Sequence, residues 1–104
     1  MFRLTPQAAN EVRRSIEQGG HGGLALRIAA RQMPDGGIDY RIGFDEIGEI
    51  DTHLTCEGID IVFAKQHLAL LNGAVMDYVE IEPGQFRFIF MNPNDSHYAP
   101  PDQP

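Results

Sequence analysis

LLNGAVMDYVEIEPGQFRFIFMNPN, residues 70–94, specifies two strands, the corner between them and an abrupt stop. Val75, Asp77, Val79 and Ile81 alternate with Met76, Tyr78 and Glu80, and Phe86, Phe88 and Phe90 alternate with Arg87 and Ile89. That period of two is the mark of side chains facing opposite sides of a sheet, and Phe at every second place makes a packing face. Glu82-Pro83-Gly84 lets the second strand fold back on the first, Pro83 fixing its φ and Gly84 accepting a positive one. Asn92-Pro93-Asn94 ends the run, because Pro93 has no N–H for a ladder and biases Asn92 away from helix.

Upstream, Thr5-Pro6 opens a helix, with Thr5 as its cap and Pro6 at the first position, where a missing N–H costs nothing. Leu4 and Ala9 stand at staple spacing, Ala8, Val12 and Ile16 form one apolar stripe, and Gly19-Gly20 stops the helix. Leu24, Leu26, Ile28 and Ala30 then alternate with Arg27 and Arg31. After the turn signal Met33–Gly37, Ile38, Tyr40, Ile42 and Phe44 alternate with Asp39, Arg41 and Gly43. An acidic loop through Glu49 and Asp51 leads to a hairpin turned at Glu57-Gly58, and Lys65 to Leu71 reads as a short helix with Leu68 and Leu71 inward. The expectation is an α+β domain: a β-rich pseudo-barrel or sandwich of about six or seven short, mostly antiparallel strands with two helices.

A chain of 104 residues makes one domain, which buries about 65% of its unfolded surface. Its core is expected over residues 1–94, with 95–104, DSHYAPPDQP, as a disordered proline-rich tail. No apolar run approaches membrane-spanning length and MFRLTPQ lacks the core of a signal peptide, so a cytoplasmic location and no membrane partner are expected. The formal charge of −7 sets up a field that repels polyphosphate, leaving RNA only the loophole of a local arginine patch. A single cysteine, Cys56, rules out an internal disulfide and any all-thiolate metal site within one chain.

The succession LTPQAAN, GLALRI, IDYRIGF, CEGIDIVF, LLNGAVMDYVE and FRFIFMNPN resembles the A-type iron–sulfur carriers, the HesB/IscA-like family, over about residues 2–94. Its most specific pieces are Leu71–Ala74 with Asp77–Val79, and Phe88 with Asn92–Asn94. The resemblance implies a compact β-rich pseudo-barrel with a helix at each side, and a function resting on three cysteines. This chain departs at all three: Asp35 takes the loop position, and Ala99 and Pro101 fall where a Cys-Gly-Cys pair would stand. Clusters need soft thiolates, which a methyl group and a pyrrolidine ring do not supply. The pattern is similar to the cysteine-less, DsrR-like branch, which implies an accessory or regulatory interaction protein of bacterial dissimilatory sulfur oxidation, without cofactor or catalytic residue.

The alternative is an iron or iron–sulfur carrier using other ligands, drawn from Asp35, Cys56 and His97. Against it, Asp35 reads as turn chemistry, Cys56 as a packing residue beside a hairpin, and His97 as a solvated tail residue; His21, His53 and His67 read as surface residues. Asp45, Glu46, Glu49 and Asp51 read as a solvated charge run, and no Ser-His-Asp arrangement is fixed. Arg27, Arg31 and Arg41 share a strand face that can dock an unidentified protein partner, unless they pair with Asp39, Asp60 or Glu80 across strands. Tyr40 and Tyr78 are the aromatic candidates for that surface, on a monomer or weak homo-oligomer.

Overall fold

The computed structural model describes residues 2–96. Helix α1, Pro6–Gly19, follows β1, Arg3–Leu4, and its start is built as the sequence indicates: Thr5 Oγ1 accepts the Ala8 N–H at 3.1 Å. Leu4, Ala8, Ala9 and Val12 are buried on one side, and Gly20 closes the helix in the left-handed region at φ 70°.

Two sheets share the core. The larger has the order β3-β2-β5-β4, built from β2 Ala25–Gln32, β3 Ile38–Asp45, β4 Thr52–Cys56 and β5 Ile59–Phe63. The smaller has the order β1-β6-β7, with β6 Val75–Glu82 and β7 Gln85–Met91. The pairs β2–β3, β4–β5 and β6–β7 are antiparallel, whereas β2–β5 and β1–β6 are parallel. The α+β class holds, the strands are mostly antiparallel, and the described sheets do not close into one barrel. The two-residue β1 was missed, since two residues carry no period, and a parallel neighbour for β2 has no local signal.

Alternation places Leu26, Ile28 and Ala30 of β2 and Ile59, Ile61 and Phe63 of β5 in the core with Leu71 and Met76. Across β6–β7, Met76 faces Phe90, Tyr78 faces Phe88 and Glu80 faces Phe86, so the expected aromatic face is one side of this ribbon. It is not buried throughout: Phe86 at its far end is 54% exposed. Both predicted tight turns form. Gly84 has φ 79°, and Glu57-Gly58 has φ 53° and 78°, the type I′ signature. The expected 65–71 helix is a 3-10 turn, Lys65–His67, running into a single α-turn α2, Leu68–Leu71. Leu71 is fully buried, but Leu68, expected inward, is 46% exposed because so short a helix turns only one residue fully to the core.

Asn92 does more than end β7. It is fully buried, and its Nδ2 donates to Leu70 O at 2.7 Å and to the Tyr40 hydroxyl at 3.1 Å. Its Oδ1 accepts the Asn94 N–H at 3.0 Å, while Asn94 Nδ2 donates to Leu70 O and Asn72 O at 3.1 and 2.9 Å. Carbonyls at the end of α2, which have no partner within the helix, are thus satisfied by side chains from beyond β7. Tyr40 closes the link by stacking on Phe90, centroids 4.0 Å apart and rings within 5°. Hydrogen bonding continues past Asn94: Asp95 N donates to Asn92 O at 3.0 Å and Ser96 N to Gly36 O at 3.1 Å. Residues 97–104 of the expected tail lie outside the described residues.

Asn92→Ala is expected to destabilise by about 2–3 kcal/mol, because it strands buried partners, and Asn94→Ala, at a more exposed amide, by about 1 kcal/mol. Denaturant midpoints at constant m-value check both; equal losses would remove the special role of Asn92.

Candidate functional site

The turn between β2 and β3 carries Asp35, the residue at the resemblance's loop-ligand position. Its Oδ1 accepts the Gly37 N–H at 2.9 Å, as expected of an Asx turn, while Gly36 takes φ 90°. Ser96 is laid against this turn, donating from Oγ to Asp35 O at 3.1 Å. A Cβ on Gly36 would come within 3.0 Å of Ser96 Oγ, so glycine permits both the backbone angle and the close approach. The fold therefore brings the Asp35 turn to the threshold of the segment carrying Ala99 and Pro101. Those two positions and His97 lie outside the described residues.

Among the described residues, donor chemistry at this junction is hard oxygen: the Asp35 and Asp95 carboxylates and the Ser96 hydroxyl. Among the described residues no group of three His, Cys, Asp or Glu side chains is placed to hold a metal ion. The thiol lies elsewhere. Cys56, at the end of β4, has Sγ 3.3 Å from the Leu4 N–H it accepts and 3.8 Å from the Leu4 carbonyl, a packing position that ties β4 to β1. An iron–sulfur cluster, the cargo that three cysteines would hold, does not fit this donor set.

Arg27, Arg31 and Arg41 do share the outer face of β2–β3: register sets Arg27 opposite Gly43, Ala29 opposite Arg41 and Arg31 opposite Asp39. Their surroundings differ. Arg27 Nε donates to Asp45 Oδ2 at 2.7 Å, Nη1 to Asp51 Oδ1 at 3.0 Å, and Nη2 to Asp51 Oδ2 and the Glu46 carbonyl. One guanidinium thus clasps both ends of the acidic loop 45–51, whose internal supports are all local: the Glu46 N–H to Asp45 Oδ1 bond at 2.8 Å, the Gly48 N–H to Asp51 Oδ2 bond at 2.7 Å and a turn from Asp51 N to Gly48 O. Hydrogen bonds from Arg27, then from the Gly48 N–H, hold the Asp51 carboxyl below its ordinary 3.8. Arg31 and Arg41, by contrast, share a single carboxylate, Asp39, at 3.9 and 3.5 Å, and their side chains are 72% and 80% exposed.

The tyrosines stand apart from that face. Tyr40 lies between Phe90 and Asn92, its hydroxyl 3.4 Å from Asp95 Oδ2 and its pKa raised by burial. Tyr78 is on the smaller sheet, with Phe88 at 4.8 Å and Phe86 at 5.6 Å. Asp60 pairs with His53 at 3.1 Å and Thr55 at 3.0 Å, and Glu80 accepts the Gly84 N–H, so of the three acids expected across from the arginines only Asp39 is. His21 stacks on Phe44 at 4.6 Å, and His67 turns back to the sheet with Nδ1 2.8 Å from Ala30 O; neither is a free surface residue. The clasp on loop 45–51 was missed, since nothing local links Arg27 to an acid 24 positions away.

With the geometry in hand, the comparisons fix the class: the chain belongs to the iron–sulphur cluster biosynthesis family, whose model matches residues 1–97. It is 34% identical over 96 residues to the iron–sulfur cluster insertion protein ErpA of Pseudomonas savastanoi pv. phaseolicola, covering 91% of this chain and 82% of that one. A protein encoded in the nifU 5′ region of Azotobacter vinelandii is 35% identical, over 90% of this chain and 88% of its own. Among solved structures, IscA with the [2Fe-2S] cluster superposes with a TM-score of 0.78 at 32% identity, covering 92% of this chain and 88% of that one.

Arg27→Gln is expected to free loop 45–51, raising amide exchange at Glu46, Gly48 and Asp51 while β2 core amides stay protected. Because the folded Asp51 carboxyl is depressed, its contribution is complete above its ordinary 3.8 and is lost as pH falls through the lower folded value. In the wild type the loop should therefore loosen only below about pH 4. Exchange measured across pH checks this; a loop already open at neutral pH would contradict it.

Proposed function

We propose that this chain is a non-catalytic, cytoplasmic interaction protein on an iron–sulfur carrier scaffold, acting as an accessory or regulatory factor in bacterial dissimilatory sulfur oxidation. The observation that carries the reading is the donor set at the loop–tail junction: a turn-forming Asp35 beside Ser96, ahead of Ala99 and Pro101, with the only thiol bonded to Leu4 on another part of the fold. Cluster chemistry is lost from the position where the family resemblance puts it, while the core around that position is retained. The assignment to sulfur oxidation rests on the similarity to the cysteine-less, DsrR-like pattern. A protein partner docks on the outer β2–β3 face, where Arg31 and Arg41 project, and the net charge of −7 disfavours nucleic acid there.

A second reading, an iron or iron–sulfur carrier using non-family ligands, draws support from the insertion role named for its relative ErpA. Anaerobic reconstitution with ferrous iron and sulfide separates the two. The interaction protein should stay colourless with iron well below stoichiometry after desalting; a stable visible chromophore with about one iron or more per chain would establish the carrier.

A further inference from the structure

We infer that Arg31 and Arg41, with Asp39 between them, form a carboxylate-recognition site that takes an acidic segment of a partner protein. The inference rests on the reading of the β2–β3 face as a docking surface and names the chemistry docked there. Of the three arginines on that face, Arg27 is consumed by Asp45, Asp51 and the Glu46 carbonyl, so its guanidinium is unavailable to a partner. Arg31 and Arg41 are different. They sit diagonally across the β2–β3 pair, with Asp39 opposite Arg31 and Ala29 opposite Arg41. The small side chain of Ala29 leaves a cleft of about 210 Å³ lined by Ala29, Ala30, Arg31, Asp39, Arg41 and His67.

Two guanidinium groups thus share one carboxylate oxygen, Asp39 Oδ2, at 3.9 and 3.5 Å. Both distances exceed the 2.7–2.9 Å typical of charge-assisted hydrogen bonds, so neither fork is saturated. The trio carries a net positive charge on a chain whose total is −7, and Asp39 already occupies the place a ligand's carboxylate would take. A planar carboxylate on an external chain can engage the forks side-on, which Asp39, tethered to the same sheet, does not do. His67 has Nδ1 against Ala30 O, which fixes the ring as a wall of the cleft. A polyphosphate chain suits the face less, because the acidic loop 45–51 lies along its Arg27 end.

The arrangement makes opposite-sign predictions for neighbouring residues. In amide NMR titrations at low ionic strength, a blocked tetraglutamate peptide should shift residues 29–32 and 39–41 saturably, whereas sodium chloride at matched ionic strength should not. Arg31→Gln and Arg41→Gln should each weaken the peptide by about tenfold, one charge-assisted contact. Asp39→Asn should tighten it about threefold, by removing the internal competitor. Arg87→Gln, exposed on the smaller sheet, should change nothing. Unchanged dispersion of the remaining spectrum confirms that each variant is folded. Shifts that follow ionic strength alone, saturable binding of sulfate but not of the peptide, or an Asp39→Asn variant that binds no tighter would each overturn the site. Iron uptake in reconstitution would contradict the proposed function and leave this titration untouched, so the two failures are distinguishable.

Discussion

A buried asparagine holds the two halves of this molecule together. Asn92 receives no water, yet its amide nitrogen and oxygen all have partners: the last turn of α2 through Leu70 O, β3 through the Tyr40 hydroxyl, and its own chain through Asn94. Buried amides are tolerable only when satisfied in this way, and a satisfied one specifies a single arrangement of the groups around it. The consequence reaches the candidate site. With Asn92 fixed, the chain leaves β7 in the direction that lays Ser96 on the Asp35 turn, and the junction of loop and tail is a consequence of the core.

Much of this architecture was legible because it is periodic or punctuated. Alternation in 24–32, 38–45 and 75–91, the cap at Thr5 and the glycine turns at Gly58 and Gly84 each report a local backbone state, which the residue itself largely decides. What could not be read is non-local. The parallel alignment of β2 with β5, the two-residue β1 and the clasp of Arg27 on Asp51 depend on which segments tertiary packing brings together. Asn92-Pro93-Asn94 lay between these cases. It was visible as a stop, but its role as a latch needed the position of Leu70 and Tyr40. The Arg face was legible as a face, and its division into a committed Arg27 and an under-used Arg31–Arg41 pair was not, because ion-pair partners on a surface follow loop geometry.

In the proposed reading, function on this scaffold divides between the retained core and the positions where the resemblance implies ligands. Family membership, together with a TM-score of 0.78 to IscA bearing its [2Fe-2S] cluster, says that the core has kept its shape. A shape alone does not bind iron; the thiolates do. On the proposed reading, in which Asp35, Ala99 and Pro101 stand where the resemblance implies those thiolates, the packing, the latch and the exposed sheet face remain the parts on which selection can act.

That division has a direct test: restore the ligands and ask whether anything else is missing. A chain carrying Asp35→Cys, Ala99→Cys and Pro101→Cys, reconstituted anaerobically beside the wild type, should gain a visible chromophore and near-stoichiometric iron and sulfide while the wild type gains neither. A wild-type chain that binds iron as well as the variant would contradict the account, and so would a folded variant that remains colourless.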